Sequence, residues 1–335
     1  MSHLILTAVG GDLGETVSLS NDSVPAPTGD DLLIAVEAAP VNHADVLFAA
    51  GWFGVYPDVP AALGAEGVGR VIEAGPQADR SLLGRRVLIL PTFAHGTWAD
   101  RVVVPARQVV PVGDSADALQ LAMLPVNPAT AHALLNDYVT LRPGDWIGLN
   151  LANSAVGQYV IALAKRAGVR TLAIVRREKA AAQVRELGAD AVVLDGDGLE
   201  DRLAKALGDH RLRLFLEGTG SSDQVAAVAG SVETGGSVVA FSSATGQSPA
   251  LPLPDLIYRG LSLRSFFILN WIATTPRQEL EKIYGELAEL VEQGVLRVAV
   301  EATYPLHQHH EALAHAQRPG RSGKILFTPG QSQAQ

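Results

Sequence analysis

Residues 146–157 read Trp-Ile-Gly-Leu-Asn-Leu-Ala-Asn-Ser-Ala-Val-Gly. The first six form a short, mostly apolar run that predicts a strand, and the small residues after it predict a turn into a helix. A parallel strand that enters a helix in this way leaves backbone N–H groups at the helix start, where a pyrophosphate can bind. Gly157 is the only glycine of the turn, so the G-x-G-x-x-G pattern is incomplete. A dinucleotide site and a plain packing turn both remain open.

Strands and helices alternate from about residue 118 onward. Apolar strands are predicted at 171–175, 191–194, 212–216, 237–241 and 261–266, with helical patterns between them. The first helix places Val156, Val160, Leu163 and Ala167 on one face, which we expect to be buried. Strands connected by helices form βαβ units in a parallel sheet. The sequence therefore predicts the α/β fold class, with a doubly wound, Rossmann-type domain over residues 120–270.

The N-terminal third has a different sequence pattern, in which turns that contain glycine and proline separate short strands. Strands are predicted at 32–36, 69–74, 86–90 and 100–104, which indicates a mainly antiparallel β domain. An amphipathic helix is predicted at 276–293, and a strand at 324–327 that we expect to return to the N-terminal domain. The β-rich domain is thus discontinuous, over residues 1–119 and 271–335.

The composition excludes several classes of protein. The 335 residues include 26 Lys and Arg, 35 Asp and Glu, a net charge of −9 and no cysteine. Disulfides, thiolate nucleophiles and sulfur-ligated metals are therefore excluded. An acidic chain binds nucleic acid and anionic membrane surfaces poorly, and no apolar run is long enough to cross a bilayer. We therefore expect a soluble cytoplasmic protein.

Two arginines, Arg176 and Arg177, follow the second strand of the parallel sheet. A site for NAD usually has an acid here, which binds the ribose 2′-hydroxyl. Guanidinium groups instead suit the 2′-phosphate of NADPH. The alternative is a solvated basic strand end.

The histidines near the C-terminus do not form a metal motif. His310 and His315 resemble the H-E-x-x-H pattern of zinc proteases but lie five residues apart, so they point in different directions on a helix. We predict no metal.

Two N-terminal motifs resemble the medium-chain dehydrogenase/reductase superfamily. They are Pro40-Val41-Asn42-His43-Ala44-Asp45 and Gly64-Ala65-Glu66-Gly67-Val68-Gly69. Zinc-dependent members carry a cysteine where this chain has Asn42 and a histidine where it has Ala65. The resemblance thus implies a zinc-free member with a GroES-like catalytic domain.

The middle of the chain is similar to NADPH-dependent 2-enoyl thioester reductases of the mitochondrial type. The similarity rests on Asn127-Pro128-Ala129-Thr130-Ala131, on Asn153-Ser154-Ala155-Val156-Gly157 and on Arg176-Arg177. It implies NADPH as cofactor, a small unsaturated carbonyl compound as substrate, and hydride transfer to the β-carbon in a cleft between the domains. The cofactor-binding residues that it implies are Asn127, Asn153, Ser154, Ala155, Val156, Arg176, Arg177, Phe241, Ser242, Ser243, Phe266, Phe267, Ile268 and Lys324.

One departure affects the catalytic residues. These reductases carry a tyrosine proton donor where this chain has Phe53, and Tyr56 lies three residues further along. We predict Tyr56 as the donor, with Asn42 and Thr130 orienting the nicotinamide or the carbonyl. A quinone acceptor depends less on a positioned acid, so an NADPH:quinone oxidoreductase is the alternative. A non-catalytic NADPH-binding protein is a third possibility.

The predicted strand at 261–266 is the last of the parallel series. Related reductases pair this strand with its copy in a second subunit, which implies a homodimer with one continuous sheet.

Overall fold

A computed structural model of the chain describes residues 1–330, which fold into two units. Of these residues, the first unit contains 1–126 and 275–330, and the second contains 127–274. Residues 120–126, which the sequence assigns to the second domain, belong to the first unit. Gln120 ties them there, because its side-chain amide donates to the Val298 carbonyl at 3.1 Å and accepts from the Val298 N–H at 3.1 Å.

The first unit contains two sheets. The smaller one is antiparallel, in the order β2-β1-β4, and consists of β1 (His3–Leu6), β2 (Val17–Ser20) and β4 (Ala61–Ala62). The larger one has the order β15-β16-β3-β5-β6-β8, with β7 paired to β3. Its strands are β3 (Asp31–Pro40), β5 (Gly67–Ala74), β6 (Arg86–Ile89), β7 (Arg101–Pro105), β8 (Val109–Pro111), β15 (Val300–Tyr304) and β16 (Lys324–Phe327).

The C-terminal strand returns to the N-terminal sheet as predicted. Strand β16 pairs antiparallel with β3, and Phe327 lies opposite Ala39. The other neighbour of β16 is β15, which runs parallel to it. The helices of this unit are α1 (Leu13–Thr16), α2 (His43–Ala49), α3 (Ala118–Ala122), α11 (Arg277–Glu292) and α12 (His309–Gln317).

The second unit is a six-stranded parallel sheet with helices, in the strand order β11-β10-β9-β12-β13-β14. The strands are β9 (Trp146–Leu149), β10 (Arg170–Val175), β11 (Ala191–Leu194), β12 (Leu212–Glu217), β13 (Val232–Ala240) and β14 (Ser262–Ser265). The helices are α4 (Asn127–Asn136), α5 (Ala155–Arg166), α6 (Glu178–Glu186), α7 (Leu199–Leu207), α8 (Ser222–Ala229), α9 (Leu253–Tyr258) and α10 (Ile268–Thr274). The strand order reverses at β9, which places a ligand crevice at the carboxyl ends of β9 and its neighbours.

Both predicted architectures are confirmed, but the predicted face of α5 is partly wrong. Val160 is buried as expected, whereas Ala167 is exposed, and Ile161 and Ala164 take the buried positions. Within the described chain, no helix combines the length and apolar character that a bilayer span requires.

Candidate functional site

The turn between β9 and α5 brings backbone N–H groups to the carboxyl edge of the parallel sheet. Ser154 caps α5, because its hydroxyl accepts a hydrogen bond from the N–H of Gly157 at 3.2 Å. A side chain at position 157 would place its Cβ only 2.5 Å from the carbonyl oxygen of Ala152. Glycine is therefore required where the helix passes close to the turn, which is the role of a glycine in a dinucleotide-binding turn.

A cavity opens beside this turn, at the ends of β9, β10 and β11. It is lined by Asn150, Leu151, Asn153, Ile174, Val175, Arg176, Arg177, Ala180, Asp195, Thr219 and Gln224. Arg176 and Arg177 are both exposed, and Arg177 is the N-cap of α6. Asp195 places an acid in the same cavity, which the sequence did not suggest. The cavity thus offers two cations for a phosphate and one carboxylate as an acceptor.

A buried polar network lies behind the cavity and joins the ends of β9 and β12. The side-chain amide of Asn150 donates to Oε1 of Glu217 at 2.9 Å and accepts from the N–H of Gly218 at 2.6 Å. Glu217 is fully buried, and its carboxylate also accepts from the N–H groups of Thr219 and Gly220, at 2.8 and 2.9 Å. These bonds satisfy a buried carboxylate without a cation and fix the edge that carries the cavity.

The other predicted residues of the second unit lie at strand ends or in helices. Phe241, Ser242 and Ser243 follow β13, and the N–H of Phe241 donates to the Glu217 carbonyl at 2.9 Å. Phe266 and Phe267 follow β14, and Ile268 starts α10, so the predicted strand 261–266 is shorter at both ends. Asn127 and Thr130 are buried in α4.

In the first unit, Asn42 lies between a cation and an anion. Its side-chain Nδ2 donates to Oε1 of Glu66 at 2.7 Å, and its Oδ1 accepts from the ammonium of Lys324. The other oxygen of Glu66 accepts from the N–H of Val126 at 2.7 Å. Burial raises the pKa of the Glu66 carboxyl and lowers the pKa of the Lys324 ammonium, while each charge opposes the shift of the other. The cluster is a buried, hydrogen-bonded pair of an acid and a base with the amide of Asn42 between them.

Asp45 supports the same cluster from helix α2. Its carboxylate accepts from the N–H of Asn42 at 2.8 Å and from the N–H of Ala65 at 2.9 Å. Burial raises the pKa of Asp45 to about 6, although both N–H groups and Lys324 lower it. In the part of the chain that the structure describes, no three His, Asp or Glu side chains are grouped to hold a metal ion.

The loop after α2 holds the predicted proton donor. Phe53 packs its ring on Phe93, with the ring centroids 4.6 Å apart. The side chain of Tyr56 is 72% exposed, and its ring lies over Gly51, where an added Cβ would be 3.0 Å away. Tyr56 is thus accessible to solvent and to ligands, and its role as donor stays a prediction.

Family models and curated relatives match the chain over most of its length. The alcohol dehydrogenase GroES-like domain matches residues 28–114, and the zinc-binding dehydrogenase domain matches residues 155–289. The mitochondrial enoyl-[acyl-carrier-protein] reductase of Xenopus tropicalis is 32% identical over 327 residues, 95% of this chain and 92% of the relative. That of Rattus norvegicus is 30% identical over 337 residues, 98% of this chain and 89% of the relative. The chain belongs to the zinc-free medium-chain dehydrogenase/reductase superfamily.

Solved structures of this superfamily share the fold. Escherichia coli quinone oxidoreductase complexed with NADPH has a TM-score of 0.88 at 21% identity, covering 98% of this chain and 100% of that chain. The quinone oxidoreductase of Pseudomonas syringae has a TM-score of 0.87 at 23% identity, covering 98% and 99%. The GroES-like and Rossmann-type architecture predicted from the sequence is therefore confirmed.

Three acids that lie close to predicted residues, two in the first unit and one in the second, were missed from the sequence. Glu66 and Asp45 lie inside the two superfamily motifs, but nothing in the motifs shows that they flank Asn42 or meet Lys324. Asp195 comes directly after β11, the strand next to β10. Because neighbouring parallel strands end at the same edge, its position after the strand is the signal that could have identified it.

Proposed function

We propose that this protein is an NADPH-dependent reductase of carbon–carbon double bonds conjugated to a carbonyl group, as in 2-enoyl thioesters and enones. The observation that carries the proposal is the cavity in which Arg176 and Arg177 lie beside the start of α5. The similarity to enoyl-[acyl-carrier-protein] reductases over 95% of the chain supports the class of acceptor.

The residues of the cavity fit NADPH. The two guanidinium groups suit a 2′-phosphate through charge-assisted hydrogen bonds, and the capped start of α5 suits the pyrophosphate. The close approach of Gly157 to Ala152 leaves no room for a side chain at the turn, as binding of a pyrophosphate by backbone N–H groups requires. Asp195 adds an acceptor that can meet a hydroxyl or amino group of the adenosine.

When bound, NADPH supplies the hydride that the β-carbon of the acceptor takes up. Asn42 and Thr130 orient the nicotinamide or the substrate carbonyl, and Lys324 adds a positive charge to the cofactor site. Tyr56 donates the proton that the α-carbon needs when the product is a saturated thioester. Much of the rate enhancement comes from holding the two reactants in a reactive geometry.

An NADPH:quinone oxidoreductase is the second candidate, and Phe53 is the observation that favours it. A phenylalanine at the position of the usual tyrosine cannot donate a proton, whereas a reduced quinone oxygen can take its proton from solvent.

A panel of acceptors tests the proposal. NADPH oxidation is followed with a 2-enoyl thioester, an enone and a quinone, with the thioester chain length varied. Turnover of the first two above the quinone supports the proposed activity, and turnover of the quinone alone supports the second candidate. NADPH binding without turnover of any acceptor supports a non-catalytic protein.

We also propose that the protein is a homodimer. Strand β14 ends the parallel sheet, and the neighbouring helix α9 exposes apolar side chains. A second copy of the same edge would cover both features.

A further inference from the structure

A hydrogen-bonded chain of three side chains connects β15 with α12 in the first unit. The hydroxyl of Tyr304 lies 2.8 Å from Nδ1 of His315, and Nε2 of His315 lies 2.9 Å from Oε1 of Glu301. The side chain of His315 is 14% exposed and that of Glu301 is 26% exposed. Both nitrogens of His315 are thus occupied by partners within the unit, which leaves the ring no free position for a ligand.

The second oxygen of Glu301 holds the loop that precedes β16. Oε2 accepts from the N–H of Ser322 at 2.6 Å, from the Ser322 hydroxyl at 3.0 Å and from the N–H of Gly323 at 3.0 Å. The hydrogen bonds with His315 and Ser322 lower the pKa of Glu301 to about 2. The carboxylate is therefore charged at neutral pH. We call its three hydrogen bonds to Ser322 and Gly323 the clamp.

The same loop is fixed against the backbone of β15. The N–H of Lys324 donates to the Ala299 carbonyl at 2.8 Å. A Cβ at Gly323 would lie 2.6 Å from the Ala299 oxygen and 2.8 Å from the N–H of Glu301, so the two segments are in direct backbone contact. The N–H groups of Ser322 and Gly323 thus donate to the Glu301 carboxylate, and the N–H of Lys324 donates to the Ala299 carbonyl.

We propose that Glu301 is a positioning residue, which holds Ser322 and Gly323, the two residues before Lys324, so that the ammonium of Lys324 meets Asn42. A lysine side chain is flexible, and it reaches a defined partner only when its own backbone is held. Lys324 donates to Oδ1 of Asn42, and Asn42 donates to Glu66. Lys324 is therefore the residue that links the clamp to the cluster of Asn42 and Glu66. The proposal rests on the proposed function insofar as Lys324 contributes to NADPH binding.

The variants separate the clamp from general packing. Glu301→Ala removes the acceptor of the loop, whereas Glu301→Gln keeps an oxygen for Ser322 and Gly323 and turns an amide toward His315. Gly323→Ala disturbs the same loop with Glu301 intact. Glu311→Ala, an exposed acid on α12, is the matched control.

Hydrogen–deuterium exchange tests the clamp without any cofactor. We expect the amides of Ser322 and Gly323, which donate to Glu301, to exchange at least 10-fold faster in Glu301→Ala and Gly323→Ala, and at about the normal rate in Glu301→Gln and Glu311→Ala. Unchanged exchange in Glu301→Ala would overturn the proposal, whatever the protein binds.

Fluorescence titration with NADPH tests the consequence for Lys324. We expect Glu301→Ala to raise Kd about 10-fold, Glu301→Gln to stay within about twofold, and Glu301→Ala to have no added effect in a Lys324→Met background. If the two substitutions together raise the Kd for NADPH by the product of their separate effects, the positioning role is overturned. Such a result would show that Glu301 acts independently of Lys324. Failure of the unaltered protein to bind NADPH would instead refute the proposed function and leave the exchange result to decide on the clamp.

Discussion

By the resemblance to zinc-dependent members of the superfamily, Asn42 stands where they carry a cysteine ligand. Its side-chain oxygen accepts a hydrogen bond from the Lys324 ammonium. Lys324 donates to Oδ1 of Asn42, and Glu66 accepts from Nδ2 of Asn42 on the other side. Removing one member of such a buried pair leaves the other without compensation, which is far more costly than losing an exposed pair.

The purified protein is expected to contain no stoichiometric zinc. Two of the superfamily's zinc-ligand positions hold Asn42 and Ala65, and the chain has no cysteine. Elemental analysis of the purified protein checks this, and a chelator should change neither its activity nor its Tm. One tightly bound zinc ion per chain would contradict the expectation.

Arg176→Ala should weaken NADPH binding and leave NADH binding nearly unchanged. A hydrogen bond to a charged group is worth roughly 1.5–3 kcal/mol, so the loss of one arginine should raise the Kd for NADPH about 10- to 100-fold. Titrations with both cofactors measure this. Arg166→Ala, an exposed arginine at the end of α5, is the control and should bind both cofactors normally. Equal affinity of the unaltered protein for NADH and NADPH would be evidence against the assignment.

Tyr56→Phe should lower kcat for an enoyl thioester without changing the Kd for NADPH. General acid catalysis is worth about 10²- to 10⁴-fold, and the variant removes the proton that we assign to the α-carbon. Phe53→Tyr should raise kcat for the same acceptor. The control is a quinone acceptor, whose turnover both variants should leave nearly unchanged. Normal enoyl turnover by Tyr56→Phe would make water the proton source and favour the quinone activity.

At the scale of elements, the turn into α5 depends on the contact between Gly157 and Ala152. Gly157→Ala would force a methyl group to within 2.5 Å of the Ala152 oxygen, so the turn must shift. We expect a loss of roughly 1–3 kcal/mol in the free energy of unfolding, as for other overpacked sites, together with weaker NADPH binding. Urea denaturation and cofactor titration measure the two effects.

The matched control for this variant is Gly230→Ala in the same unit. Gly230 follows α8 with a φ of −59°, and an added Cβ would meet no atom within 4 Å. The free energy of unfolding of the Gly230→Ala variant should therefore stay unchanged. An equal loss in both variants would show that the Gly157 contact has no special role.

The elements that sequence patterns predicted well are those whose signal is local. The strands of the parallel sheet are apolar runs, and helix α11 differs by one residue at each end from the predicted 276–293. The face of α5 was predicted less well, because Ile161 and Ala164 fit the same spacing as the residues chosen. The cluster of Glu66, Asn42 and Lys324 was not predictable, since its members are joined across 282 residues by the pairing of β16 with β3.

At the scale of the whole molecule, the free edge of β14 predicts a dimer. In residues 1–330, β14 pairs only with β13, and the apolar side chains of Leu253, Ile257 and Tyr258 are 66%, 60% and 81% exposed. Light scattering should give twice the 35.2 kDa of one chain. Ile257→Glu should shift the mass toward the monomer, because a buried charge opposes association. A mass near 35.2 kDa for the unaltered protein across micromolar concentrations would contradict the dimer.

Strand β16 lies between β15 and β3, so the large sheet of the first unit joins the two ends of the chain. During synthesis, residues 127–274 emerge as one uninterrupted stretch. Strand β3 pairs early with β5 and β7, but Ala39 and Pro40 at its end wait for β16, which is translated almost 300 residues later. The parallel-sheet unit can therefore fold on the ribosome first, and the N-terminal unit is completed only after the last strand is released. A variant truncated before Lys324 would keep its parallel-sheet unit, while Ala39 and Pro40 at the end of β3 would lose their partner strand and be open to other strands.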